Sequence, residues 1–224
     1  AGVCYGDAVE DSCGECGGDA WECETLLVPE NFATIQEAID YSCDCDSILV
    51  SAGTYYENIN FNGKNLALIG EDREMTIIDG GQNASVITIS GVNACTIKNL
   101  TITNGNGTSG GAIFSIESNL ILIDLNMIYN SVNVTSSASY NTDGGGGIYS
   151  SASNIDIANS VLSNNIVIGG SSTADTGATD GLGGAISAIE NSSINIENSV
   201  INNNSVTGGG GYGAGGNGLG GGVY

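Results

Sequence analysis

The feature that most constrains this chain is a motif that returns four times in its second half. It reads Gly110-Gly111-Ala112-Ile113, Gly145-Gly146-Gly147-Ile148, Gly183-Gly184-Ala185-Ile186 and Gly220-Gly221-Gly222-Val223. After each of the first three comes a short apolar run closed by Asn: Met127-Ile128-Tyr129-Asn130, Val161-Leu162-Ser163-Asn164 and Val200-Ile201-Asn202-Asn203. The distance from Gly pair to Asn is 20, 19 and 20 residues, whereas the return from Asn to the next Gly pair is 15, 19 and 17. A fixed segment alternating with an elastic one is the pattern of a solenoid. The fixed part builds a shared core, and the elastic part is a loop leaving each coil at one corner.

Upstream of these repeats the period is that of short strands. Ser47-Ile48-Leu49-Val50, Asn58-Ile59-Asn60-Phe61, Leu66-Ala67-Leu68-Ile69, Thr76-Ile77-Ile78-Asp79, Val86-Ile87-Thr88-Ile89 and Thr96-Ile97-Lys98-Asn99 are separated by Gly, Asn and Asp. One helix is expected, over about 34–42, where Thr34 and Glu37 form a capping box and Ile35, Ala38 and Ile39 share a face. With no crossover helices later, a doubly wound sheet is excluded, and a β-sandwich is the rival all-β fold. The repeat spacing favours stacked coils from about residue 47, with the helix covering the first. In such a stack Ile113, Ile148, Ile186 and Val223 form one internal ladder. Ile123, Ile157 and Ile196 are expected to form another. Asn104, Asn130, Asn164 and Asn203 are expected to line one turn, since Asn tolerates a left-handed backbone and stacked amides bond along the axis. Lateral loops are expected at 131–144, 165–182 and 204–219. Ala1 reads as a processed or truncated start. Tyr224, just after a Gly motif, reads as the start of a coil that further chain or another molecule continues.

The chain carries 25 acidic residues against Lys64, Arg73 and Lys98, a net charge of −22. Phosphate and anionic-lipid recognition need basic clusters, so nucleic acid and adhesion to acidic membranes are excluded as partners. No apolar run approaches the ~20 residues of a membrane span. Such a surface suits cations, neutral glycans or high salt. Cys4, Cys13, Cys16, Cys23, Cys43 and Cys45 cluster, and Cys95 stands alone in an apolar stretch. Up to three disulfides and one buried thiol follow, and with them an extracellular or cell-surface setting. A zinc site is the rival, but there is no His and no second Cys-x-x-Cys.

Residues 1–27 are read as a separate Cys- and Asp-rich segment ahead of a β-helical domain at 28–224. Within the first 24 residues a tandem repeat runs with an offset of 12, Gly2, Cys4, Gly6, Asp7, Ala8 and Glu10 matching Gly14, Cys16, Gly18, Asp19, Ala20 and Glu22. A segment so short is held by covalent staples. Asp7, Glu10, Asp11 and Asp19 supply hard oxygen ligands, for which calcium is the natural cation, although no full ligand loop is present. Asp143 and Asp180 sit at nearly equivalent loop positions, and carboxylates at coil spacing repel unless a cation lies between them, so calcium is a candidate there too, with flexible, solvated loops as the rival reading.

Ala33-Thr34-Ile35-Gln36-Glu37-Ala38-Ile39, the run from Ser47 to Asn58 and Thr76-Ile77-Ile78-Asp79-Gly80 resemble the opening of right-handed parallel β-helix proteins of the pectin-esterase-like and pectate-lyase-like superfamily. The resemblance implies an all-β, right-handed parallel β-helix with an N-terminal capping helix. The Gly-Gly-Ala-Ile units look like the repeats of polymorphic outer-membrane passenger proteins, with Thr101, Met127, Val161 and Val200 where that family has an aromatic. Cys16-Gly17-Gly18-Asp19 is similar to Cys-rich linkers of large secreted surface proteins. These likenesses imply an exported, surface-associated protein.

Many β-helix proteins act on acidic polysaccharides. Their lyases need basic residues that three scattered cations do not supply. Their esterases pair two Asp with an Arg, and Arg73 lacks the flanking motifs. Asn141-Thr142-Asp143 matches a polygalacturonase motif whose partners, an Asp pair, a His and an Arg-Ile-Lys, are missing from the sequence. Asp143 and Asp180 could supply two carboxylates, the minimum for glycoside hydrolysis. The expected role is therefore a non-enzymatic extracellular structural or adhesive module that self-associates or meets other surface proteins, with head-to-tail filaments as a specific form. The alternative is a carbohydrate-binding or polysaccharide-degrading enzyme of the same fold. The lateral loops are the expected contact surface, with a glycan as a candidate ligand.

Overall fold

A computed structural model describes residues 23–134, 144–171, 178–210 and 215–224. The chain is a right-handed parallel β-helix. The first face stacks Thr25–Val28, Ser47–Val50, Ala67–Gly70, the first halves of Cys95–Thr103 and Asn119–Ile128, then Asn154–Ala158 and Ser193–Glu197, all parallel. The second face stacks Gly53–Tyr56, Thr76–Asp79, the second halves of the same two long strands, Val161–Ser163 and Val200–Asn202. The third stacks Ile59–Asn60, Ile87–Ser90, Ile113–Ile116, Ile148–Ser151 and Ile186–Ile189. The strand Thr25–Val28 straddles the 27/28 boundary read from composition and belongs to the stack.

Alternation along each strand sends every second side chain inward. Leu26, Ile48, Leu68, Ile97, Leu122 and Ile157 form one buried column, and Ile59, Ile87, Ile113, Ile148 and Ile186 another. Each such side chain contributes about 1.5–3 kcal/mol relative to exposure. The third-face ladder is the expected one, and Val223 joins it through a bridge to Ile186. The first-face ladder is corrected by one residue. Leu122, not Ile123, pairs with Ile157, which pairs in turn with Ile196, while Ile123 faces out between Lys98 and Ala158. In Leu120-Ile121-Leu122-Ile123 both faces are apolar, so the period of two cannot be read there.

The corners explain the Asn content. Asn99, Asp124, Asn159 and Asn198 have φ of 59°, 54°, 53° and 48° and bend the chain from the first face to the second. Asn104, Tyr129, Asn164 and Asn203 do the same at the next corner, with φ of 55°, 57°, 56° and 52°. The expected Asn column is therefore also corrected. Asn130 belongs not with Asn164 but with Asn165 and Asn204, one residue further on. In that register Gly145 to Asn165 is 20 residues and Gly183 to Asn204 is 21, with the extra residue in the Glu190-Asn191 turn, where both φ values are positive. The paired glycines serve two needs. Gly145 lies at φ 71°, a region that disfavours a Cβ, whereas a Cβ on Gly146 would collide with the backbone of Gly184 and Ile166.

The helix Ile35–Tyr41 forms with the expected capping box. Ile35, Ala38 and Ile39 are fully buried against the first coil. The loops expected from 131, 165 and 204 begin instead as strands. Asn106–Gly107, Ser131–Asn133, Ile166–Ile168 and Ser205–Thr207 form a lateral parallel sheet over a small core of Val132, Val134 and Val167.

Candidate functional site

Three groups of hydrogen-bonded polar side chains bear on function: those at the cap, those at one corner and those in the axial ladders. At the cap the N–H groups of Ile35 and Gln36 each donate to one oxygen of Glu57 at 2.9 Å. Lys64 Nζ donates to the carbonyls of Ile39 and Asp40, both at 2.8 Å. An anion sits at the helix N-terminus and a cation at its C-terminus, each meeting backbone groups the helix itself leaves unpaired. Asp46, 4% exposed, accepts from the N–H groups of Glu24 and Cys43 at 2.7 Å and ties the chain's start to the first coil. The Cys23–Cys45 disulfide does so covalently, and Cys43 is also disulfide-bonded. Cys95 is a buried free thiol, and burial pushes its pKa up to about 12. Burial raises the Tyr55 phenol first, with Glu57 and Glu71 adding to the shift.

Arg73 pairs with two carboxylates at the corner between the first and second faces. Its Nη1 lies 2.6 Å from Asp124 Oδ1 and donates to the Asn159 carbonyl at 3.2 Å, while Nε meets Glu74 Oε1 at 3.2 Å. The same Glu74 oxygen accepts from Asn126 Nδ2, and Thr101 Oγ1 donates to the Arg73 carbonyl. Thus Arg73 clips its turn across the outside of successive coils. Its Nη1 ties the turn to Asp124 and Asn159 of later coils, and its Nε to Glu74 within the turn.

Of the axial ladders, sequence reasoning expected the asparagines, one residue early at two rungs, and missed the serines. Ser153 Oγ accepts from the Ser118 N–H, and Ser192 Oγ from the Ser153 N–H. Ser160 Oγ accepts from Leu125 N–H, and Ser199 Oγ from Ser160 N–H. Asn130, Asn165 and Asn204 accept through Oδ1 from the N–H of Gly105, Asn130 and Asn165, at 2.9, 3.0 and 2.9 Å. Their signal was present in the sequence. Ser153, Ser160 and Asn165 are separated by seven and five residues, as are Ser192, Ser199 and Asn204.

Of the acidic residues singled out for a cation, Asp7, Glu10, Asp11, Asp19 and Asp143 lie outside the described residues, as do Asn141 and Thr142. Asp180 is placed beside the loop of the following coil, where its Oδ1 accepts from the Asn217 N–H at 2.6 Å. Gly181 and Leu182 pair with Gly218 and Leu219, so these loop positions are equivalent, as the sequence implied. Among the described residues no three acidic, Cys or His side chains converge as a metal-binding group. None of the described helices is long and apolar enough to cross a membrane.

Solved structures similar to the chain include a pectin methylesterase mutant in complex with a hexasaccharide. It is 14% identical with a TM-score of 0.39, over 78% of this chain and 67% of that one. A second is a pectin methylesterase in complex with another hexasaccharide, 15% identical with a TM-score of 0.37, over 80% and 67%. No model of a protein family matches the chain. No curated protein matches it either. The parallel register, not these likenesses, defines the fold.

Proposed function

We propose that the chain is a non-enzymatic extracellular structural and adhesive module of a cell-surface protein. The observation that carries this reading is the employment of its charged and amide side chains. Lys64 and Glu57 cap the helix, Arg73 clips the coils, and buried Asn and Ser amides and hydroxyls run from coil to coil. Groups that an acid–base site would aim at a substrate are here spent on holding a rod together. The Cys23–Cys45 bridge supports an oxidising, extracellular setting.

In its specific form the module assembles end to end. Copies would join by the parallel pairing that stacks Ser193–Glu197 on Asn154–Ala158 within the chain. Negative-stain electron microscopy of the protein from its source, in calcium-containing buffer, tests the form: end-to-end filaments are expected, and isolated short rods would remove it. A depolymerisation assay on neutral and acidic polysaccharides tests the function. Release of reducing ends would replace the structural reading with the enzymatic one.

A further inference from the structure

An Asn-Gly pair is chemically labile, because a glycine has no side chain to keep its backbone N from the carbon of the preceding side-chain amide. The chain carries four: Asn62-Gly63, Asn104-Gly105, Asn106-Gly107 and Asn217-Gly218. The fold separates them. The Gly105 N–H donates to Asn130 Oδ1 at 2.9 Å inside the stack, and Asp79 holds the Asn104 amide. Gly107 is buried in the lateral strand opposite Val132, and Gly218 pairs with Gly181. Asn62 and Gly63 instead form an exposed two-residue turn, with φ of 53° and 77°. The Lys64 N–H closes it by donating to the Phe61 carbonyl at 3.0 Å.

This turn is half of a polar clasp on the cap helix. Asp40 Oδ1 accepts from Asn62 Nδ2 at 2.9 Å and from Gln36 Nε2 at 2.8 Å. Gln36 Oε1 accepts the Asn60 N–H at 2.7 Å, and Asn60 Oδ1 accepts the Asn62 N–H at 2.9 Å. We propose that Asn62-Gly63 is a self-modification site whose conversion to an acid loosens the cap helix. The Gly63 N bonds to Asn62 Cγ, and the side-chain nitrogen leaves as ammonia with the Gly63 proton. Water then opens the resulting five-membered imide at either carbonyl. The product is aspartate, or isoaspartate with one more carbon in the main chain. Water is the only co-reactant.

In the closed turn the Asp40 bond holds the amide, so conversion proceeds while the clasp is locally open. The product opposes reclosure. An acceptor replaces the donor that faced Asp40, and two carboxylates meet at hydrogen-bond range. Lys64 is the cation closest along the chain, but its Nζ is engaged by the Ile39 and Asp40 carbonyls, and turning to the new acid would strip the helix C-terminus. Opening speeds conversion and conversion favours opening, so the change runs one way.

The test ages the whole protein in mildly alkaline buffer and reads aspartate and isoaspartate at all four sites by peptide mass spectrometry. Asn62 should convert at least about tenfold faster than Asn104 or Asn106. Glu57→Ala, which loosens the helix at its other end, should speed Asn62 severalfold and leave Asn217 unchanged. Asn62→Asp should raise amide exchange in the cap helix about tenfold, and adding Asp40→Asn should largely restore protection, since an amide there donates to the new carboxylate. Aged parent protein, folded before the change, gives the same reading if the variant fails to fold. Conversion at Asn62 no faster than at Asn104 would overturn the proposal. So would parental exchange in aged protein and in Asn62→Asp, or a loosened cap that Asp40→Asn fails to tighten.

Discussion

Asn165 shows how much one side chain carries in a stack with so few charges. Its Oδ1 accepts the Asn130 N–H at 3.0 Å, and its Nδ2 donates to the Met127 carbonyl at 2.9 Å, all fully buried. In Asn165→Ala both partners stay buried and lose their mates, which costs about 2–4 kcal/mol, several times the net worth of one hydrogen bond. A chemical-denaturation midpoint unchanged within error would show that the ladder is ornamental. Cys95 behaves differently because it packs as an apolar group. Its pKa is raised from 9.0 to about 12, so its folded form holds the proton longer than the unfolded chain does. The stability this gives is whole below pH 9 and declines as pH climbs from there towards 12. Cys95→Val should therefore lose less stability than the parent between pH 8 and pH 10.5, and parallel melting curves for the two proteins would refute the burial argument. Such single positions were only partly legible in the sequence. A lone Cys in an apolar run reads as buried. The choice between Asn164 and Asn165 does not, because consecutive Asn residues fit two registers and only backbone pairing separates the left-handed corner from the bonded amide.

At the scale of elements the cap helix tests whether charged groups here are structural. It spans seven residues, too few for a stable helix alone, and it persists because three apolar side chains dock on the first coil. Glu57, from the strand-like motif after Tyr56, satisfies two of its N-terminal N–H groups. Removing that carboxylate in Glu57→Ala should cost about 1–2 kcal/mol. The loss should appear locally, as about tenfold faster hydrogen exchange at Ile35 and Gln36, while amides of the central coils keep their protection. Uniform exchange in variant and parent would mean that docking alone holds the helix. The capping box was readable because Thr34 and Glu37 lie within one turn. The Glu57 and Lys64 contacts were not, because they join residues about 20 apart whose meeting depends on the coil closing. The lateral strands were hidden for another reason. Ser131-Val132-Asn133 and Ser205-Val206-Thr207 each place one apolar residue among polar ones, and alternation over three residues does not rise above loop composition.

For the whole molecule the governing quantity is the net charge of −22, with Lys64 and Arg73 committed to the cap and the corner clip. Carboxylates then oppose one another over much of the rod, and screening should stabilise it. Calcium is proposed to do more than screen, held by Asp7, Glu10, Asp11 and Asp19 in the N-terminal segment and by Asp143 and Asp180 on the loops. The two effects separate cleanly when melting midpoints are compared at one ionic strength with sodium, magnesium or calcium as the cation. Screening alone gives equal midpoints, whereas oxygen-ligand sites of calcium size lift the calcium midpoint, and chelation reverses the gain. Asp180→Asn keeps an oxygen for the Asn217 N–H but removes a charge. It should therefore erase only the loop share of the calcium increment, measured against the variant's own sodium midpoint, and leave the N-terminal share in place. Equal midpoints in all three cations would end both calcium sites. An increment retained in full by Asp180→Asn would leave calcium to the N-terminal segment, with the backbone pairing of Gly181–Leu182 and Gly218–Leu219 joining the lateral loops without it.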